Sequence, residues 1–368
     1  MKNNIKKIFF ALLFICCLKV NYAGLGNDAK QNSPQINLVV AADGSGDDTS
    51  ISEALERVPG PNESIFVIFI KKGIYREKIN IDEDKVMLLG EDRDATCIIY
   101  AEQKWIWQCR NNPDDPLPAV VNINASDVIL KNLTIRNNWG ALHQNDPLPK
   151  LDCDIENYEA RVKPNGHQYA LMLKGDSNRL IVLDCNIIAD GADTFCPWNK
   201  ESGMYFIKNT YFEGWTDFVC PRGDCFITDS EFFCRGGSAA LWHDGSASKE
   251  KKFVIVNSRF DGVDNFKLGR YSHDSQFIIV NSAISAKVSD KNIYQSKPDV
   301  YWGHRVYYSG VKSEGQKYSW MQDNFKESKY LPSPEIINAV WTFGGKWDPE
   351  KYISENNIMR INTSDLRK

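Results

Sequence analysis

The chain of 368 residues has no long apolar run beyond its N-terminus, so no later stretch reads as a membrane-spanning segment. It lacks an excess of either charge. Its 48 acidic and 44 basic residues leave a formal net charge of −4, which argues against a nucleic-acid-binding surface. Histidine is scarce: the five present form no HExxH pair, and the cysteine spacings do not match a zinc site. No metal or cofactor is therefore expected. No Gly/Ser-rich or Pro-rich linker divides the chain, and no 3.6-residue periodicity runs through its middle. One large domain over 24–368 is expected, and a monomer.

What is present begins with an export signal. "MKNNIKK" is basic, "IFFALLFICCL" is a short apolar run, and "NYAG" places a cleavage site near Ala23. Residues 1–23 are read as a signal peptide, and the mature protein as periplasmic, surface-bound or secreted. Two cysteines fall in that segment. The other eight are free to form disulfides in an oxidising compartment. Aromatics are plentiful, with 10 Trp, 15 Tyr and 18 Phe, enough to fill a core and also to stack on sugar rings.

A repeat occupies the middle of the chain. "VILKNLTI" (128–135), "IVLDCNI" (181–187), "YFIKNTYF" (205–212), "FITDSEF" (226–232), "VIVNSRF" (254–260) and "IIVNSAI" (278–284) each carry a β-branched or aromatic run. Asn or Asp follows, then often a small polar residue or Cys. The key positions are Asn132, Asp184, Asn209, Asp229, Asn257 and Asn281. Short strands at such intervals suit an antiparallel sandwich or a parallel β-helix. The in-phase recurrence of polar residues, as in stacked ladders, favours the helix. The fold expected is all-β: a single-stranded parallel β-helix over about 38–290. "GDDTSISEALERV" (46–58) is amphipathic, with Asp48 or Thr49 as its cap, and would close the N-terminal end. The segment after about 290 is expected to pack outside the coils as irregular elements. The 52-residue gap between Asn132 and Asp184 would hold two coils, or one coil and a long loop.

Two aspartates sit among small and apolar residues, in "GADTF" (191–195) and "GWTDFV" (214–219). Asp193 lies nine residues after Asp184 and Asp217 eight after Asn209, so they share a phase on consecutive coils. Neighbouring carboxylates push each other's pKa values apart, giving a nucleophile or base beside an acid without histidine or metal. Ladder-forming corner aspartates would show the same spacing. Cys196 and Cys220 also share a phase, and are expected to be neighbours, as a disulfide or as two stacked thiols.

These residues resemble the pectin methylesterase (pectinesterase) family of carbohydrate esterases. "LVVAADGSGDDTSISEAL" and "VIFIKKGIYREKI" are similar to its N-terminal segments, "HQYALML" to the segment bearing its first glutamine, and "GADTF" and "FEGWTDFV" to its two aspartate motifs. "KLGRYS" is similar to its Leu-Gly-Arg-Pro-Trp motif. The resemblance implies a right-handed parallel β-helix that removes methyl esters from the galacturonate units of pectin. It makes Asp217 the nucleophile, Asp193 the general acid/base, Arg270 the partner of Asp217, and Gln168 a donor to the oxyanion. The sequence departs from the family at Ala192, where the family has a second glutamine, and after Arg270, where Tyr-Ser replaces Pro-Trp. Trp215, Tyr271 and Trp198 are candidate replacements for the missing tryptophan. Arg222, in "CPRGD", is a further candidate for the groove or a partner of Asp224. His304 and Arg305, in "YWGHR", are candidates for binding an acidic sugar. Pectin or a related uronic-acid polysaccharide is thus the expected partner. A polysaccharide lyase, an acetylesterase and a glycan-binding β-helix that has lost catalysis are the alternatives.

Overall fold

The computed structural model describes residues 34–111, 117–153 and 155–361; the segment read as an export signal lies outside them. Every strand pair among the described residues that belongs to a sheet is parallel, as in Ile181–Leu183 against Ile129–Lys131 and Phe226–Thr228 against Val254–Val256. The strands form three walls. One is a ten-stranded sheet from Ile36–Val40 to Val306–Ser309, and the second a nine-stranded sheet from Gly73–Tyr75 to Lys312–Ser313. The third has a four-stranded piece ending at Phe195–Pro197 and a three-stranded piece beginning at Ala239–Trp242. Val219 bridges the two, to Phe195 on one side and Leu241 on the other. The chain is a parallel β-helix, and the sandwich is excluded.

The repeat motif has a backbone cause. Asn132, Asp184, Asn209, Asp229, Asn257 and Asn281 all adopt φ between 49° and 55°, at the corner where the first wall turns into the second. Left-handed backbone is costly for most side chains, and Asn and Asp tolerate it best. The small polar residue after the corner forms a ladder. Thr210 N–H donates to Ser230 Oγ, Ser230 N–H to Ser258 Oγ and Ser258 N–H to Ser282 Oγ, each at 3.1 Å. Each serine hydroxyl in turn donates to the carbonyl two residues back. Apolar residues between corners fill the interior, where Phe212, Phe232 and Phe260 stack with centroids 5.4 and 4.6 Å apart.

The coils extend further than the repeat motif suggested. The expected limit near 290 is too early, because Val306–Ser309 and Lys312–Ser313 add a further coil. There the corner is Gly310, at φ 63°. On the coil before Asn132, Gly90 takes the aligned position, where a Cβ would lie 2.0 Å from the Asn132 carbonyl oxygen. The 52-residue gap holds one coil and a long loop, since Leu180–Leu183 pairs directly with the strand Ile129–Lys131. That loop carries the short helices Trp139–Leu142 and Tyr158–Arg161.

The N-terminal helix is Ile51–Glu56, and Ser50 caps it. Asp48 is engaged elsewhere: its carboxylate pairs with Arg57 at 2.6 Å and its backbone bridges Val40. Ile51 and Ala54 are buried against the first coils. The C-terminal elements pack outside the first wall as expected. Ile337, Ala339, Phe343 and Ile358 cover Val67, Met87, Ile181, Phe206 and Phe226. No described helix is long and apolar enough to cross a membrane.

Candidate active site

Asp193 and Asp217 stand at the corner between the second and third walls, both in left-handed backbone, at φ 60° and 51°. Phe195 bridges Val219, so the register sets Asp193 beside Asp217 on the next coil, and Asp193 N–H donates to Thr216 O at 3.1 Å. The extra residue before Asp193 is absorbed in the bend of Asp190, Gly191 and Ala192. The aspartates are thus corner formers, and the same geometry gathers two carboxylates on one face.

Arg270 comes from the strand Lys267–Tyr271 and reaches back to Asp217. Its Nε lies 3.0 and 3.1 Å from the two carboxylate oxygens and its Nη2 2.7 Å from Oδ2. That planar fork is a geometry an ammonium cannot copy. Asp217 is 9% exposed. Burial pushes its carboxyl up to about 6; Arg270 opposes the rise, and the charge of Asp193 adds to it. The group is ionised above that pH and held in one orientation.

Three residues that the sequence reading passed over line this corner. His167 Nε2 lies 3.7 Å from Asp193 Oδ2. Trp105 Nε1–H donates to His167 Nδ1 at 3.1 Å. An indole nitrogen only donates, so in the neutral ring the proton sits on Nε2, facing Asp193. Burial lowers the pKa of His167, partly offset by Asp193. Lys104 begins the helix Lys104–Arg110, bonds through its backbone N–H to His167 O, and extends over the rings of Trp105, Tyr169 and Trp198. Burial lowers its pKa, while Asp193 raises it. Tyr169 is buried beside Cys196 and Cys220, and its hydroxyl has no hydrogen-bond partner among the described residues.

Several expected site residues are placed differently. Gln168 is fully buried. Its Oε1 accepts from Gly140 N–H at 2.9 Å and one of its two Nε2 hydrogens goes to Pro164 O at 2.5 Å, so the amide is bound into the loop away from solvent. Side chains alternate along an extended segment: with His167 and Tyr169 on the Asp193 side, Gln168 points the other way. Tyr271 is 1% exposed in the core, with its hydroxyl on His304 Nδ1, and cannot stack on a substrate. His304 and Arg305 line a cavity that includes neither aspartate. Trp198 remains beside Lys104, 38% exposed, with the Arg222 guanidinium 3.8 Å from its ring centre. Trp215 is half-buried two residues before Asp217 and packs on Gly236. Arg222 does not pair with Asp224, which takes Lys251 instead. It donates to Cys196 Sγ at 3.2 Å and to Cys220 O at 3.0 Å.

Cys196 and Cys220 are buried neighbours but unbonded; the disulfide joins Cys109 to Cys153. Burial raises both thiols. For Cys196 the contacts from Cys220 and Arg222 more than offset it, leaving that thiol below its usual range. With Asp193 they bring three potential metal-ligand atoms within 4.8 Å of one another. Arg222 occupies the thiol side of that cluster and Lys104 lies near, so two cations oppose a third.

The arrangement can hold an ionised carboxylate against a guanidinium, beside a second carboxylate and donors from His167 and Lys104. Residues 37–190 match the family model described as Pectinesterase. A pectinesterase from Daucus carota is 25% identical over 269 residues, covering 73% of this chain and 68% of the carrot protein. One from Petunia integrifolia is 35% identical over 202 residues, 54% of this chain and 45% of its own. Among solved structures, the pectin methylesterase from carrot aligns over 89% of this chain and 97% of its own, with a TM-score of 0.64 and 20% identity. PemA from Erwinia chrysanthemi gives 0.64 and 18%, over 86% of this chain and 99% of its own. Motif order, coil architecture and these similarities agree in supporting the pectinesterase family and, with it, a carboxylic ester hydrolase.

Proposed function

We propose that the protein removes methyl esters from galacturonate units of pectin, with Asp217 as nucleophile and Asp193 as general acid/base. The Arg270 fork on Asp217, at the point where the register sets Asp193 alongside, carries this reading. A pectin methylesterase solved in complex with a hexasaccharide has the same fold, with a TM-score of 0.63 and 19% identity. In the first half-reaction an Asp217 oxygen bonds to the ester carbonyl carbon and the C=O electrons move to oxygen. As that oxyanion collapses, the C–OCH3 bond breaks, Asp193 gives its proton to the methoxy oxygen, and methanol leaves. Asp217 is then in an acyl anhydride with galacturonate. In the second half-reaction Asp193 takes a proton from water as the water oxygen attacks the acyl carbon, and Asp217 is released as carboxylate.

The donor role that the family pattern gives to glutamine falls in this chain to His167. Its Nε2–H, fixed by Trp105, faces the space at Asp193, and the Lys104 ammonium adds positive charge there. Trp198 and Trp215 flank the aspartates as apolar surfaces for sugar rings. An export signal at 1–23 fits action on an extracellular polymer. Purified protein incubated with methylated pectin should release methanol. Unsaturated uronides would indicate a lyase, acetate an acetylesterase, and glycan binding without any product a binding protein.

A further inference from the structure

A second cavity, of about 820 Å³, opens where the C-terminal segment crosses the outside of the coils. This volume lies within the range of about 300–1,000 Å³ typical of small-molecule sites. Its walls carry three cations, Lys249, Lys252 and Arg305, against one carboxylate, Glu250. Glu250 is tied to its own loop by the Ser248 hydroxyl at 2.6 Å. Among the described residues none of the three cations has an ion-pair partner. Arg305 is 8% exposed: Nη1 donates to Lys249 O and Gln276 Oε1, while Nε and Nη2 have no acceptor among the described residues. The positive charge of these walls is thus left uncompensated, and an anion in the cavity would balance it.

Each cation lies against an aromatic ring. Arg305 is 5.3 Å from the Trp302 centroid, Lys252 4.9 Å from Trp341, and Lys249 5.3 Å from Tyr330. Tyr330 is 80% exposed at the rim and Tyr301, next to Trp302, is 90% exposed. Flat apolar rings between positive charges match a ligand with apolar ring faces and carboxylates at intervals along it.

We propose that this cavity is a second binding site for an acidic oligosaccharide, separate from the catalytic corner, with Arg305 and Lys249 taking carboxylates and Trp302, Trp341 and Tyr330 taking ring faces. The choice of galacturonate as the repeating acid rests on the pectin reading. A site of this kind would hold de-esterified polymer near the catalytic corner and raise the local concentration of ester.

Calorimetric titration of the full chain with unesterified oligogalacturonate tests this directly. Two binding events are expected, the one at this cavity weakening as salt rises. Arg305→Gln should remove that event. So should Lys249→Ala with Tyr330→Ala, a pair of exposed positions whose loss leaves the core untouched. Both variants should keep wild-type kcat on a short methyl-esterified oligosaccharide and show a KM on polymeric pectin raised by roughly tenfold or more. Equal binding of a neutral oligosaccharide of the same length, or of citrate, would overturn the assignment of an acidic sugar. Unchanged binding in both variants would overturn the site itself. Loss of the event in a protein that releases no methanol from any ester would uphold the site while refuting the esterase reading.

Discussion

Arg270 and burial pull the Asp217 carboxyl in opposite directions, and burial wins, leaving it near 6. In the proposed mechanism the nucleophile must be ionised, so kcat/KM is expected to rise with pH through about 6 as Asp217 loses its proton. Arg270→Lys should lower the rate and move that midpoint upward, because the influence that favours the anion is weakened; a pH–rate series on both proteins checks it. His167→Ala should cost roughly 100–1000-fold in kcat with KM little changed, as for other lost oxyanion donors. His167→Gln, which retains a donor, should recover part of that loss. Much of this was legible in the sequence. Asp193, Asp217 and Arg270 followed from phase and motif because backbone register fixes where they stand. Gln168 did not, because a motif gives a position but not the face toward which its side chain points. His167 is its neighbour in the chain, and only alternation along the extended segment distinguishes the two.

At the scale of elements, the corners decide what could be read. A turn that demands left-handed backbone selects Asn or Asp, and six such residues marked six coils. Gly310 serves the same corner in left-handed backbone without a side chain, so the last coil escaped the pattern. Asn257→Ala should therefore destabilise the fold by about 1 kcal/mol or somewhat more, since alanine pays the left-handed penalty without a compensating side chain. Asn257→Gly should cost less. Thermal unfolding of both variants gives the comparison, and equal losses would mean that the side chain, not the backbone, matters at that corner. The helix cap was misplaced by one or two residues for a related reason: Asp48 was already committed to Arg57 and to the strand at Val40.

For the whole molecule, the solenoid gives long-range order from short-range rules, which is why its architecture could be inferred without any alignment of distant segments. The disulfide could not. Cys109 and Cys153 belong to two excursions from the coils, the helix Lys104–Arg110 and the long loop after Trp139–Leu142, and nothing periodic relates them. Mass mapping under non-reducing conditions should find Cys109 joined to Cys153. Cys196 and Cys220 should be alkylated only after unfolding, both being buried. The central claim remains the pair of carboxylates, and methanol release from methylated pectin by the single variants Asp217→Asn and Asp193→Asn tests it most directly. Both should lose at least about 1000-fold in rate, and the double variant should be little slower than the slower single one, because the two act as a unit. Wild-type rates in either single variant would contradict the account and leave the aspartates as corner residues alone.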